Sequence, residues 1–136
     1  MNILAIDTCT EVASVTLYSS GVRASRVLTN VEKSSGHILR LCDEVFTESG
    51  KQLNEVDLIA YSKGPGAFTG VRMCIGVVQG LSLSCSIPTI GFSTLELLGF
   101  RASKILKSEK IAVALDARMG EVYWAVYDHG ELNNMK

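Results

Sequence analysis

The chain opens on an unbroken apolar run, Ile3-Leu4-Ala5-Ile6, stopped by Asp7. A segment apolar at every position predicts a strand buried on both faces. Polar turn residues follow, Asp7-Thr8-Cys9-Thr10-Glu11, and then the pattern alternates from Val12 to Tyr18. Ala13, Val15 and Leu17 share one face there, Ser14 and Thr16 the other, which predicts a half-buried strand. Ser19-Ser20-Gly21 closes this hairpin, and Arg23 to Leu28 returns as a third strand. Ser34-Ser35-Gly36 then precedes a helix with Ile38, Leu41, Cys42, Val45 and Phe46 on one face, and Gly50 stops it. Leu58 to Tyr61 reads as a short buried strand. Ile87 to Gly91 reads as another, placed at an edge or entry position by Pro88. Ser93-Thr94-Leu95-Glu96 is a capping box opening a helix to about Leu106. The order is three strands, helix, strand, helix, strand, helix, which predicts an α/β fold with a mixed sheet and flanking helices.

The middle helix grows out of the stretch that organises the chain, Ser62-Lys63-Gly64-Pro65-Gly66-Ala67-Phe68-Thr69-Gly70-Val71-Arg72. Glycine and proline force a sharp turn between the preceding strand and a helix carrying Val71, Cys74, Ile75, Val78 and Leu81 at helical spacing. Thr69 is the expected N-cap. Such a turn can aim free backbone N–H groups at an anion. A phosphate loop, however, needs a lysine after its last glycine, and here only Arg72 follows, two residues later. The competing reading is a tight crossover that brings a helix close to its neighbours. Gly76 and Gly80, four apart on one helical face, favour it: they lower helix propensity but permit close backbone approach, best explained by a partner helix.

The chain then starts again. Ile111-Ala112-Val113-Ala114-Leu115-Asp116 repeats the apolar run ending in aspartate, and Glu121 to Tyr127 repeats the second strand up to Gly130. A repeat at this offset implies domain duplication. The expected division is a complete first lobe over 1–106 and, over 107–136, a second lobe cut off after its first hairpin. An isolated hairpin is marginal in water, so this one is expected to dock, burying Tyr123, Trp124 and Tyr127. A strand meander opening on an aspartate is also how the ribonuclease-H-like fold of actin-type ATPases begins, an analogy of fold alone.

Composition narrows the function. At 136 residues, 47% hydrophobic and 20% charged, the chain has material for a core, and its net charge of −1 gives no electrostatic footprint for stand-alone binding of nucleic acid. Cys9, Cys42, Cys74 and Cys85 lack metal-type spacing and read as free thiols of a reducing compartment. No secretory leader is expected, and no apolar run is expected to approach membrane-spanning length, so the sequence reads as cytoplasmic, without a membrane partner. The two histidines, His37 and His129, stand far apart with no His-x-x-x-His, which disfavours zinc and any nucleophile–histidine pairing. Asp7 and Asp116 are the best candidates for carboxylates facing a phosphate or metal, with Thr8, Gly64 and Gly66 as weaker nucleotide contacts. The turn after Asp7 lacks the glycine that close phosphate approach needs. No cofactor is expected.

Four stretches resemble a known family. They are Ile3 to Thr8 with Glu11 and Ser14-Val15; Lys63 to Arg72; Gly76-Val77-Val78-Gln79-Gly80-Leu81; and Ala114-Leu115-Asp116-Ala117-Arg118-Met119-Gly120-Glu121-Val122-Tyr123-Trp124. They resemble the TsaB (YeaZ) family, a subunit of the bacterial machinery that makes threonylcarbamoyladenosine in tRNA. Lys63 and Ala67 stand where that family usually has Arg and Ser. The resemblance implies a duplicated actin-like, ribonuclease-H-like fold. It implies a non-catalytic subunit that pairs with the transferase subunit TsaD, with the ATPase TsaE joining the complex, and that forms homodimers when alone. It also implies an interface on two helices of the first lobe, here at His37, Leu41, Val45, Thr69, Arg72, Met73, Gly76, Val77 and Gly80. Two rival functions remain: a glycoprotease-type peptidase and an actin-like nucleotide-binding protein.

Overall fold

A computed structural model describes residues 1–29, 35–128 and 131–133, with backbone alone for the last three. Ser34, His129 and Gly130, used above, lie outside the described residues. The first sheet is built from β1 (Asn2–Asp7), β2 (Ala13–Ser19), β3 (Val22–Leu28), β4 (Leu58–Ser62) and β5 (Thr89–Phe92), in the order β3-β2-β1-β4-β5. The meander β1–β3 is antiparallel, while β4 and β5 run parallel to β1, as crossover helices require. Pro88 directly precedes the edge strand β5, as its missing N–H demands.

Two helices cover one face of this sheet. α1 (Ser35–Ser49) buries Ile38, Leu41, Cys42 and Val45, the stripe set by its apolar spacing, and Gly50 ends it at φ +67°. α2 (Phe68–Cys85) buries Gly70, Cys74, Val77 and Val78. These residues close a core with Leu4, Ile6, Val15, Leu17 and Ile59. The expected cap is displaced. Ala67 holds the N-cap position without a side-chain bond, and Thr69 lies inside the first turn, because the glycine turn delivers the chain into the helix two residues early.

The cysteines are all free, three of them buried. Burial pushes the Cys42 thiol up to about 12 and the Cys74 thiol up to about 11, and raises Cys9 as well. Thiolates are the reactive form. A disulfide-exchange reagent at pH 8 should therefore titrate only Cys85 in the folded chain and all four cysteines after denaturation. Fast labelling of a second thiol in the folded state would contradict this packing.

The second unit differs from expectation in two ways. α3 (Thr94–Leu106) does not close the first lobe; it lies on a separate sheet made of β6 (Lys110–Arg118), β7 (Glu121–Asp128) and β8 (Glu131–Asn133), in that order. Leu95 packs with Val113 and Ala125, and Gly99 sits so close to Tyr127 that a side chain there would overlap the ring. α3 therefore packs on the second sheet, while its first residue, Thr94, is hydrogen-bonded to Gly64 and Ser62. Its apolar spacing showed that the helix has a buried face, but not which sheet would cover it. β8 also extends the expected hairpin to a three-stranded meander, repeating β1–β3. Docking buries Tyr127, yet Tyr123 and Trp124 remain 41% and 46% exposed.

Candidate functional site

The two repeated aspartates end matching strands and make matching turns. Asp7 Oδ1 accepts the Cys9 N–H at 2.9 Å, and Asp116 Oδ1 accepts the Arg118 N–H at 2.7 Å. Each carboxylate thus folds its own loop, a common role for aspartate. Between the two loops lies a cleft of about 570 Å³. Thr10, Glu11, Phe68 and Thr69 form one wall, and Leu115, Asp116, Arg118 and Tyr123 the other.

The glycine turn is a clamp. The Ala67 N–H donates to the Cys9 carbonyl at 3.0 Å, and Thr8 Oγ1 donates to the Gly70 carbonyl at 2.6 Å. A side chain at Gly66 would overlap the Cys9 carbonyl, and one at Gly70 would overlap that of Thr8. Gly64 is buried, and its carbonyl accepts the Thr94 N–H at 2.9 Å. At the same junction, Ser62 and Thr94 hydroxyls share a hydrogen bond of 2.9 Å. Glycine is therefore needed here so that the loop after β1 can lie directly on the start of α2.

This corrects the nucleotide contacts expected from the sequence. Thr8 is fully buried and spends its hydroxyl on α2. Gly64 is occupied by α3, and Asp7 by its own turn. Gly66 and Asp116 do line the cleft, but Glu11 and Asp116 place two carboxylates there against one guanidinium, Arg118. That balance does not suit a polyphosphate without a bridging cation.

The residues expected at a partner interface divide sharply. Leu41, Val45 and Val77 lie in the core, 3%, 0% and 8% exposed, so no partner reaches them. The family resemblance placed the interface on these helices, but the apolar spacing of Leu41 and Val45 marks the face turned to the sheet. Met73 is partly buried against the same core, and His37 is half-buried at the start of α1. Thr69, Arg72, Gly76 and Gly80 form an exposed stripe along α2, joined by Gln79 and by Leu83, which is 82% exposed. Among the described residues, nothing beyond the helix's own nearby backbone and the flanking residues lies within 4 Å of where a side chain would begin at Gly76 or Gly80. The stripe starts at the cleft, where the Arg72 guanidinium stacks 3.9 Å over the Phe68 ring. Sequence reasoning missed that stacked pair, although its spacing of four on a helix was a usable signal.

α2 also overturns the expectation about apolar runs. At 18 residues it is long and apolar enough, by length and composition, to cross a membrane. Its inner residues Cys74, Val77 and Val78 belong to the first core, while most of the helix is not buried.

Comparison with known proteins agrees with these features. A family model described as TsaD, tRNA N6-adenosine threonylcarbamoyltransferase, matches residues 25–134. The chain is 42% identical over 131 residues to the tRNA threonylcarbamoyladenosine biosynthesis protein TsaB of Escherichia coli, covering 96% of this chain and 57% of that protein. The protein of the same name from Bacillus subtilis is 30% identical over 136 residues, covering 95% and 56%. The solved structure of YeaZ from Pseudomonas aeruginosa matches with a TM-score of 0.89 at 41% identity, covering 97% of this chain and 63% of that one. A ROK hexokinase from Thermus thermophilus matches at 0.58 with 12% identity, over 97% of this chain and 47% of that one, and shares the fold alone. The chain spans just over half the length of the curated relatives it matches. The fold is actin-like and ribonuclease-H-like, and the chain belongs to the TsaD family of tRNA N6-adenosine threonylcarbamoyltransferase proteins and, within it, to the TsaB (YeaZ) group.

Proposed function

We propose that this chain is a non-catalytic subunit of the machinery that makes threonylcarbamoyladenosine in tRNA, and that it presents the α2 stripe to a TsaD-type transferase. The observation that carries this reading is the stripe itself. It is an exposed helical face with two glycines open to solvent and an apolar end at Leu83. Small residues let another helix approach closely, so the stripe fits a helix pair. On this reading the subunit works in the cytoplasm, binds a second copy of itself when TsaD is absent, and meets a TsaE-type ATPase only through the complex.

Two observations weigh against the rival enzymes. Thr8 and Gly64, expected to touch a nucleotide, are bonded within the fold instead. Among the described residues, no three His, Cys, Asp or Glu side chains gather as a metal-dependent peptidase requires. The test is co-elution of this chain with a TsaD protein from a close bacterial relative, followed by calorimetry of the pair. A stable one-to-one complex is expected, with no heat from ATP and Mg²⁺ added to this chain alone. Separate elution of the two proteins would refute the pairing, and micromolar ATP binding would favour the nucleotide-binding rival.

A further inference from the structure

The stripe on α2 is not uniform along its length. Phe68, Arg72, Gly76 and Gly80 stand four apart and so form one row on the helix, two bulky side chains followed by two bare positions. The Phe68 ring is 67% exposed, and the Arg72 guanidinium lies 3.9 Å over it. Helix geometry sets this direction. Side chains lean toward the N-terminus, so Arg72 reaches back over the turn that carries Phe68.

Arg72 is also the only charged residue of α2. Among the described residues no carboxylate forms an ion pair with it, whereas Arg26 and Arg40 both bind Glu44. Glu11 and Asp116, which share the cleft with Phe68, leave it unpaired as well. The helix itself gives no reason for a cation here. Positive charge is favoured at a helix C-terminus, and this one projects toward the N-terminal end, where the first turn carries no acid. Shielding of the ring is a weak reason too, because Phe68 stays largely exposed beneath the stack. The stack occupies one face of the guanidinium and leaves its N–H edge open.

We propose that the stacked pair is the recognition element of the α2 surface, and that a carboxylate on the docking helix of the TsaD-type partner seats against the Arg72 N–H edge. This rests on the function proposed above and adds the chemistry of the contact. A helix lying close over Gly76 and Gly80 meets the step at Arg72 one turn further on, about 6 Å along the axis. The carboxylate therefore belongs one turn away from the partner's contact with Gly76. A planar guanidinium grips a carboxylate through two parallel N–H···O bonds, which fixes the register of the two helices. Because the ring already holds the guanidinium in place, little side-chain freedom is lost when the partner arrives. Aromatic and arginine side chains are also the types that dominate the affinity of protein interfaces.

The test is calorimetric titration of this chain and its variants with a TsaD protein from a close bacterial relative. Arg72→Lys keeps the charge but loses the fork and the stack, and should weaken binding about tenfold. Arg72→Glu sets like charges together and should weaken it about a hundredfold. Both variants should melt as the unaltered chain does, since the side chain is exposed. A single Asp→Lys or Glu→Lys change on the partner's docking surface should restore binding of the Arg72→Glu chain while weakening that of the unaltered chain. Full-strength binding by Arg72→Glu would overturn the carboxylate contact and leave the proposed function standing. Full-strength binding by Arg72→Lys would overturn the role of the stacked fork, because a point charge would then suffice. Failure of every partner acid to rescue Arg72→Glu would overturn the proposal as well. If the unaltered chain does not bind the partner at all, the proposed function falls and this contact falls with it.

Discussion

Replacing Gly76 by leucine should abolish the complex with a TsaD-type partner while leaving the subunit folded. Among the described residues, nothing outside the helix's own nearby backbone and the flanking residues lies within 4 Å of the added Cβ, so the fold has no reason to resist the new side chain. Leucine is also the better helix former, by somewhat under 1 kcal/mol, so thermal stability should hold or rise slightly. The partner meets the change differently. A helix seated against a glycine stripe approaches more closely than it can above a branched side chain, and displacing it loses contacts along the whole seam. A weakening of about a hundredfold or more is expected, some 2.7 kcal/mol. Calorimetry or co-elution reads this directly, and circular dichroism confirms that the variant is folded. A full-strength complex would mean that the partner docks elsewhere. Leu83→Ala should weaken the same complex less, since it removes contact without adding an obstruction.

Gly70→Ala should act in the opposite sense, on stability first. Here the added Cβ would overlap the Thr8 carbonyl, and both contacting groups are backbone, which yields poorly. The shift would also strain the bond from Thr8 Oγ1 to the Gly70 carbonyl. Overpacking of this kind costs about 2 kcal/mol. For a chain of this size that corresponds to a fall in melting temperature of roughly 8 °C. Gly80→Ala, made on the same helix in open space, should instead raise it. If the two substitutions moved the melting temperature alike, the clamp between the β1 loop and α2 would have no energetic weight.

These two glycines show where the sequence was legible. Strand alternation in Ala13 to Leu17 and helical spacing in Ile38 to Val45 fixed most elements, because a single period decides each. The matching aspartates were visible because each repeats a run and a turn, and their hydrogen bonds proved alike. Relations between elements were harder to read. Leu41 and Val45 were expected at an interface because the family resemblance points to a helix without saying which of its faces is free. α3 was given to the first lobe because apolar spacing marks a face without saying what covers it, when the close contact of Gly99 with Tyr127 ties it to the second sheet. Thr8 looked like a weak nucleotide contact because it follows Asp7 at the end of the first strand, as in the actin-like analogy. Only its distance to Gly70 reveals that it is a strut.

α2 begins as a wall of the cleft, at Phe68 and Thr69, and continues outward as the exposed stripe. Its 18 residues make a rod about 27 Å long. Handle and jaw are therefore one rigid body: whatever grips the far end at Leu83 also bears on the mouth where Phe68 and Arg72 stack. A visitor on the outside of this molecule could thus be sensed, through a single lever, by whatever occupies its mouth.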